Sequence, residues 1–359
     1  MSRFFSLKRG ITITEKGVLL STQNVVDVNY AFYLHTSKVI HKKFYIQDSM
    51  WEFNESLTLG KFYTADFYYK YKEEVEKYSL VFKPNNSNDG VQVVSENIIA
   101  DEQGFKISFY DQQSDITFIV FNGYGSTKSS KPFGLEFLLG LGYNVICCLQ
   151  QNNQYQELSF DVFKKHVTKI VENKKVFLYG SSLGAYAAVY YAGAVNGTVI
   201  AAAPKNSAHP HMVGQKNKFK AIKFNHDEII NNPKTNNPVY IIIDTICKPD
   251  IFFLDKFIKP AYPNLNVIPF DYAGHTVLYH VNKTKQLKPL ILDIVNGNNL
   301  RVDSCVESVY TDLGRANFYL NKLDKSNCLL YLNKVFSSTD INDNIRNQAN
   351  LISEKIKKI

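Results

Sequence analysis

No C-x-x-C pair occurs among the five cysteines, Cys147, Cys148, Cys247, Cys305 and Cys328. The spacing that builds zinc fingers and thioredoxin-type dithiols is therefore missing. The odd count with no framework spacing argues against a disulfide scaffold and suits a reducing compartment. Cys147 and Cys148 lie inside an apolar run and read as small core residues. No stretch approaches the roughly eighteen apolar residues of a membrane helix, and Met1–Arg9 is too poor in apolar residues to read as a secretory signal. The expectation is a cytoplasmic protein without a transmembrane segment. Internal repeats and low-complexity tracts are also lacking. Neither G-x-x-x-x-G-K-[ST] nor G-x-G-x-x-G appears, which disfavours nucleotide binding.

What is present is ordinary globular composition. The 359 residues are 45% hydrophobic and 21% charged, enough for one large domain and a smaller module. The formal charge of +8 arises from 41 Lys and Arg against 33 Asp and Glu. The lysines are scattered, and the densest cluster, Lys355, Lys357 and Lys358, reads as a solvated helix face. A nucleic-acid partner is not expected, and the sequence leaves the oligomeric state open.

Three textures follow one another along the chain. In residues 1–89, Val26, Val28, Tyr30, Phe32 and Leu34 alternate with Asp27, Asn29, Ala31, Tyr33 and His35, the period of a half-buried strand. Ile40–Ile46 and Phe62–Tyr71 are similar, and short strands at this spacing predict a small antiparallel β-sandwich. The turn-rich segment Pro84–Gly90 marks the expected boundary. In residues 90–296, strand-like runs alternate with helix-length segments, which predicts a doubly wound, mostly parallel sheet covered by helices. Val91–Ala100 and Phe105–Tyr110 flank a turn as an opening hairpin. Further strands are expected at Ile116–Phe121, Tyr143–Leu149, Lys175–Tyr179, Thr198–Ala202, Val239–Asp244 and Asn266–Phe270, with a helix over Asp161–Asn173. Residues 297–359 are helical in pattern, and Leu320, Leu323, Leu329, Leu330, Leu332 and Val335 give them an apolar face.

The sharpest chemical signal is Val176-Phe-Leu-Tyr-Gly180-Ser-Ser182-Leu-Gly184-Ala-Tyr186. A G-x-S-x-G run between an apolar strand and an Ala-rich helix is a tight turn that lifts a serine hydroxyl above the sheet. Small residues two before and two after the serine let strand and helix approach, and the helix N-terminus favours developing negative charge. A serine needs a base, and the partners in this arrangement follow as carboxylate and then histidine. Asp250, in the loop expected after Val239–Asp244, is the favoured acid; Asp244 is the alternative, or shapes that loop by accepting backbone N–H bonds. Gly274-His275, after the next strand, supplies the base. The second oxyanion donor, beside Leu183 N–H, is expected from Gly123 or Tyr124 in Asn122-Gly-Tyr-Gly125. Gln151, Asn153, Tyr155 and His209 are candidates to line a substrate cleft. His209 and His211 form a His-x-His pair, but with no acidic or cysteine partner nearby no metal is expected, nor any other cofactor.

At these residues the chain resembles the α/β-hydrolase superfamily over roughly residues 91–296. Gln150-Gln-Asn-Asn-Gln-Tyr-Gln156, with Tyr179-Gly-Ser-Ser-Leu-Gly-Ala-Tyr-Ala-Ala, is similar to hydrolase-like proteins of bacterial surface-polysaccharide and glycoprotein export. Tyr30-Ala-Phe-Tyr33 and Gly60-Lys-Phe-Tyr63 resemble the small β-sandwiches often attached to such enzymes. The resemblance implies an α/β-hydrolase fold and acyl transfer through an acyl-Ser182 intermediate on a small-molecule or glycan ester, as an esterase, a deacylase or an O-acetyltransferase drawing on acetyl-CoA. A hydrolase-fold accessory protein without chemistry and a serine peptidase are the competing readings.

Overall fold

The computed structural model describes residues 4, 6–36, 40–85, 90–212, 219, 221–339 and 341–358. The chain divides into two compact units: Met1–Val120 with Ser126–Gln151 and Val171–Lys175, and Phe121–Gly125 with Asn152–Ile170 and Val176–Ile359.

The first unit opens with two antiparallel sheets. One has the order β1 (Arg9–Ile13), β2 (Val18–Thr22) and then β5 (Met50–Phe53). The other contains β3 (Asn29–His35), β4 (Ile40–Ile46), β6 (Tyr63–Tyr71), β7 (Glu74–Pro84) and β8 (Val91–Val94), in the order β4-β3-β6-β7-β8. Period-two alternation sends Tyr30, Phe32 and Leu34 of β3 inward with Phe67 and Tyr69 of β6, where they share one core with Val18, Leu20 and Phe53 of the smaller sheet. The sandwich read from the alternation is thus two sheets on a common aromatic core. The expected linker forms no break in the larger sheet, because Pro84 pairs with Val91 across it; residues 86–89 of that linker lie outside the described residues.

The expected strand Val91–Ala100 is two strands. Val91–Val94 pairs with β7, and after Ser95-Glu96 the chain enters β9 (Asn97–Asp101), which pairs with β10 (Phe105–Tyr110). The hairpin anticipated at Asp101–Gly104 is formed there, with Glu102 N–H donating to the Phe105 carbonyl at 2.9 Å. Strand β11 (Ile116–Phe121), helix α1 (Leu135–Leu139) and strand β12 (Asn144–Gln150) follow, and the strands are ordered β11-β12-β10-β9.

The second unit carries α2 (Phe160–Val167), β13 (Lys175–Ser181), α3 (Leu183–Val195), β14 (Thr198–Ala202) and β15 (Val239–Ile243). Then come α4 (Lys248–Phe253), β16 (Asn266–Pro269), α5 (Val277–Lys283) and α6 (Leu287–Asn296). Strands β13 to β16 pair in succession and all in parallel, as continuous apolar runs separated by helices predict. The expected helix Asp161–Asn173 ends early, at Val167.

Helices α7 (Val309–Asn321), α8 (Lys325–Ser337) and α9 (Asp343–Ile356) close the chain. Ser308, Asp324 and Asn342 each cap one of them with a side-chain oxygen on a first-turn N–H. Leu320, Leu332 and Val335 enter their shared core. Leu323, Leu329 and Leu330 do not; they are exposed, because α8 begins two residues after Leu323 and turns the next two leucines outward. Among the described residues no helix is long and apolar enough to cross a membrane.

A buried histidine ties the loops of the second unit together. His226 Nε2–H donates to the Tyr155 carbonyl at 2.8 Å, and Nδ1 takes the Tyr186 hydroxyl at 2.9 Å. Its ring stacks on Tyr190 at 4.2 Å. Burial pushes its pKa down to about 4. The unfolded chain therefore takes this proton first, near pH 6.5, and stability declines as pH falls from there towards 4. Urea denaturation should show about 1 kcal/mol lost between pH 7 and pH 5.5 from this group, and His226→Gln should flatten that step.

Candidate active site

Strand β13 must turn into α3 within one residue, and Ser182 takes the turn with φ 55° and ψ −116°. This is the left-handed half of the map, costly for a residue with a Cβ. Two glycines make room for it. A Cβ on Gly180 would lie 2.3 Å from the Gly184 carbonyl carbon, and one on Gly184 would lie 2.2 Å from the Phe121 carbonyl oxygen. Helix α3 thus presses onto both β13 and the start of the Asn122–Gly125 loop, and the hydroxyl is carried to the helix N-terminus. Ser182 N–H donates to the Ala202 carbonyl at 2.8 Å, which fixes the turn to β14.

Ser182 Oγ is 2.8 Å from His275 Nε2. The imidazole Nδ1 lies 2.9 and 2.8 Å from the two carboxylate oxygens of Asp250. A carboxylate can only accept here, so Nδ1 carries the proton and Nε2 is left to accept from the serine. The Asp250 side chain is fully buried and that of His275 is 38% exposed. Asp250 stands in the first turn of α4, with Pro249 ahead of it, rather than in an open loop; a helix N-terminus favours its negative charge.

Asp244 has different work. Its oxygens accept from Ile246 N–H at 2.8 Å and Gly274 N–H at 2.6 Å, pinning the end of β15 to the turn that carries His275. Burial, ahead of the neighbouring Asp271 and Asp250, raises its pKa above the usual carboxylate value against those two amide bonds. Cys247 adjoins Asp250, but burial and then the Asp250 charge push its thiol up to about 12, so it is no thiolate near neutrality.

The His275 turn is also held from the C-terminal helices. Tyr272 has φ 65° and Gly274 φ 63°, and α7 crosses so near that a Cβ on Gly314 would lie 1.8 Å from the Tyr272 carbonyl oxygen. Between this turn and helices α7 and α9 lies a cavity of about 570 Å³, lined by His275, Tyr279, Tyr310, Phe318, Asn317, Gln348 and Lys355 among others.

The residues proposed from sequence to line a cleft are elsewhere. Gln151 belongs to the first unit, exposed, accepting Lys128 N–H at 3.1 Å. Asn153 accepts Tyr155 N–H at 3.1 Å in a tight turn. Tyr155 is fully buried; its ring lies edge-on to Phe121, and its hydroxyl donates to the Asn122 carbonyl at 3.1 Å. His209 is buried against Phe257 and Phe224, and desolvation lowers its pKa. None of the four lines the cavity beside His275. The Gln- and Asn-rich run is a scaffold instead: Gln154 accepts from Ala208 N–H, and Gln156 from Asn225 and His226 N–H. Polar composition suggested a surface, but the side-chain oxygens of Gln154 and Gln156 accept from loop backbone instead. Helices α7 and α9 carry no motif, and nothing in their sequence pointed to the cavity.

No protein-family model and no curated protein matches the chain. Among solved structures it is similar to the capsule O-acetyltransferase of Neisseria meningitidis serogroup A, with 13% identity and a TM-score of 0.42 over 54% of this chain and 92% of that one. It is similar to Est1E from Butyrivibrio proteoclasticus, with 13% identity and a TM-score of 0.37 over 56% of this chain and 99% of that one. A dienelactone hydrolase from Anabaena variabilis aligns with 14% identity and a TM-score of 0.38 over 58% and 99% of the two chains.

Tyr155 supports the Asn122 loop from beneath. Tyr155→Phe should therefore cost about 1 kcal/mol of stability by removing one buried hydrogen bond, read as a lower melting temperature, with KM for a small ester unchanged.

Proposed function

We propose that this protein is a serine-dependent acyl-transfer enzyme, and one observation carries the reading: the hydrogen-bonded series Ser182 Oγ, His275, Asp250 at 2.8 Å, then 2.9 and 2.8 Å. Ser182 Oγ attacks the ester carbonyl carbon while His275 Nε2 takes its proton. The carbonyl oxygen, now an anion, is received at the N-terminus of α3. Leu183 N–H, which has no acceptor within its own helix, is one donor. An amide of Gly123 or Tyr124 is the other, in a loop that the contact of Gly184 with Phe121 holds against α3. Collapse of the intermediate breaks the bond to the alcohol, which leaves with the proton from His275, and the acyl group stays on Ser182. Water or a second hydroxyl, deprotonated by His275, then releases it. Asp250 keeps the proton on Nδ1 throughout and stabilises the imidazolium.

The substrate class we assign is the ester of a hydroxyl-rich compound. The cavity beside His275 is not lined by Ser182, so it could receive only a part of the substrate remote from the reacting ester; there Tyr279, Tyr310 and Phe318 offer ring faces, and Asn317 and Gln348 offer amides for hydroxyls. Both esterase and O-acetyltransferase chemistry pass through the same acyl-Ser182, and acetyl-CoA is the donor to test for transfer.

A fluorophosphonate probe should label the wild-type chain and leave Ser182→Ala unlabelled. Turnover of p-nitrophenyl acetate should fall by a factor on the order of a thousand or more in Ser182→Ala and His275→Ala. Asp250→Asn should lose on the order of a hundredfold or more, and Asp244→Asn far less, since an amide oxygen still accepts from Gly274. Retained activity in Ser182→Ala, or the reverse ranking of the two aspartates, would refute the assignment.

A further inference from the structure

We propose that Lys205 is a positioning residue for this site: it supplies a fixed counter-charge beside the buried Asp250 carboxylate when His275 is neutral. The proposal rests on the acyl-transfer reading and adds a member to its machinery.

Asp250 is a fully buried carboxylate. Its oxygens take the Nδ1–H of His275 and the Cys247 thiol at the first turn of α4, and none of these brings a permanent charge. Lys205 Nζ lies 3.6 Å from Asp250 Oδ1, and its side chain is only 21% exposed. Among the described residues, Lys205 and His275 are the cationic partners of Asp250, and His275 is uncharged when it is ready to act as a base. The other titratable groups facing the carboxylate work against its charge or lend none. Asp244 adjoins it with the same sign and has Asp271 behind it; Cys247 bonds to it as a neutral thiol. Lys205 is left as the permanent cation.

The backbone places it deliberately. At the end of β14, Ala203 takes φ 46°, an unfavourable setting for alanine, with its N–H on the Ile242 carbonyl at 2.9 Å. Pro204 stiffens the next step, and Lys205 N–H donates to the Ser182 carbonyl at 3.1 Å. One residue thus grips the backbone of the serine and presents an ammonium to the acid. That charge has a second effect, because it opposes the imidazolium.

The test compares wild type, Lys205→Met and Lys205→Arg by the pH profile of kcat/KM on p-nitrophenyl acetate. The acidic limb should move up by about half a pH unit or more in Lys205→Met and return in Lys205→Arg. An unmoved limb, a downward shift, or an equal loss at every pH would overturn the proposal. A melting-temperature cycle gives a second readout. Lys205→Met should lower the melting temperature, and adding Asp250→Asn should restore at least half of the loss, because the uncompensated charge is gone; if Lys205→Met alone does not fold, the double variant should. No recovery in the double variant would overturn the charge pairing. A wild-type chain that neither reacts with the fluorophosphonate nor hydrolyses the ester would sink the acyl-transfer reading, and the melting cycle would still decide whether the two charges are partners.

Discussion

The site depends on a steric constraint: α3 can begin within one residue of the end of β13 only because no side chain stands at Gly180 or Gly184. Strand and helix touch backbone to backbone there, and the helix backs onto the Phe121 carbonyl at the same time. The unfavourable φ of Ser182 is sustained by that contact and by the hydrogen bond to Ala202. Everything chemical follows from it. The hydroxyl stands clear of the sheet, the first helical amides face the same way, and the Asn122 loop lies against the helix start.

The second layer of order is electrostatic and concerns one imidazole. Three carboxylates, Asp244, Asp250 and Asp271, gather around the ends of β15 and β16, yet they are not interchangeable. Asp250 faces a ring nitrogen, Asp244 faces two backbone amides, and Asp271 accepts the Thr245 hydroxyl at 2.6 Å. Their separate partners let like charges crowd together: each is bound to donors that hold it in a different direction.

Much of this was legible in the residues. The G-x-S-x-G run carries its own steric logic, and the order Ser, Asp, His with strands before the latter two picked out side chains that lie within hydrogen-bonding distance of one another, with Asp244 on backbone amides instead. Buried parallel strands were legible because they are unbroken apolar runs. Strand β7 was missed, since Glu74, Glu76 and Lys77 hide its pattern, and Val91–Ala100 read as one strand because nothing apolar is lost where it changes sheets at Ser95-Glu96. Tyr155 and His209, expected at a cleft, are buried, and for a common reason. Polar and aromatic residues after a strand suggest a cleft, whereas here both rings pack against phenylalanines and the Tyr155 hydroxyl bonds a loop carbonyl. Lys205 had no signal at all, because its meaning comes from a carboxylate 45 positions away in the chain.

Gly314 joins this site to the far end of the chain. The turn bearing His275 rests against α7 with no room for a methyl group, and α7 is in turn held by α8 and α9. A ribosome that has released everything through α6 has already delivered serine, aspartate and imidazole, but the surface that backs the imidazole turn is still unmade. The His275 turn thus takes its backing from residues made after all those that meet at Ser182, and a chain cut after α6 would hold Ser182 and Asp250 without the surface that seats the imidazole.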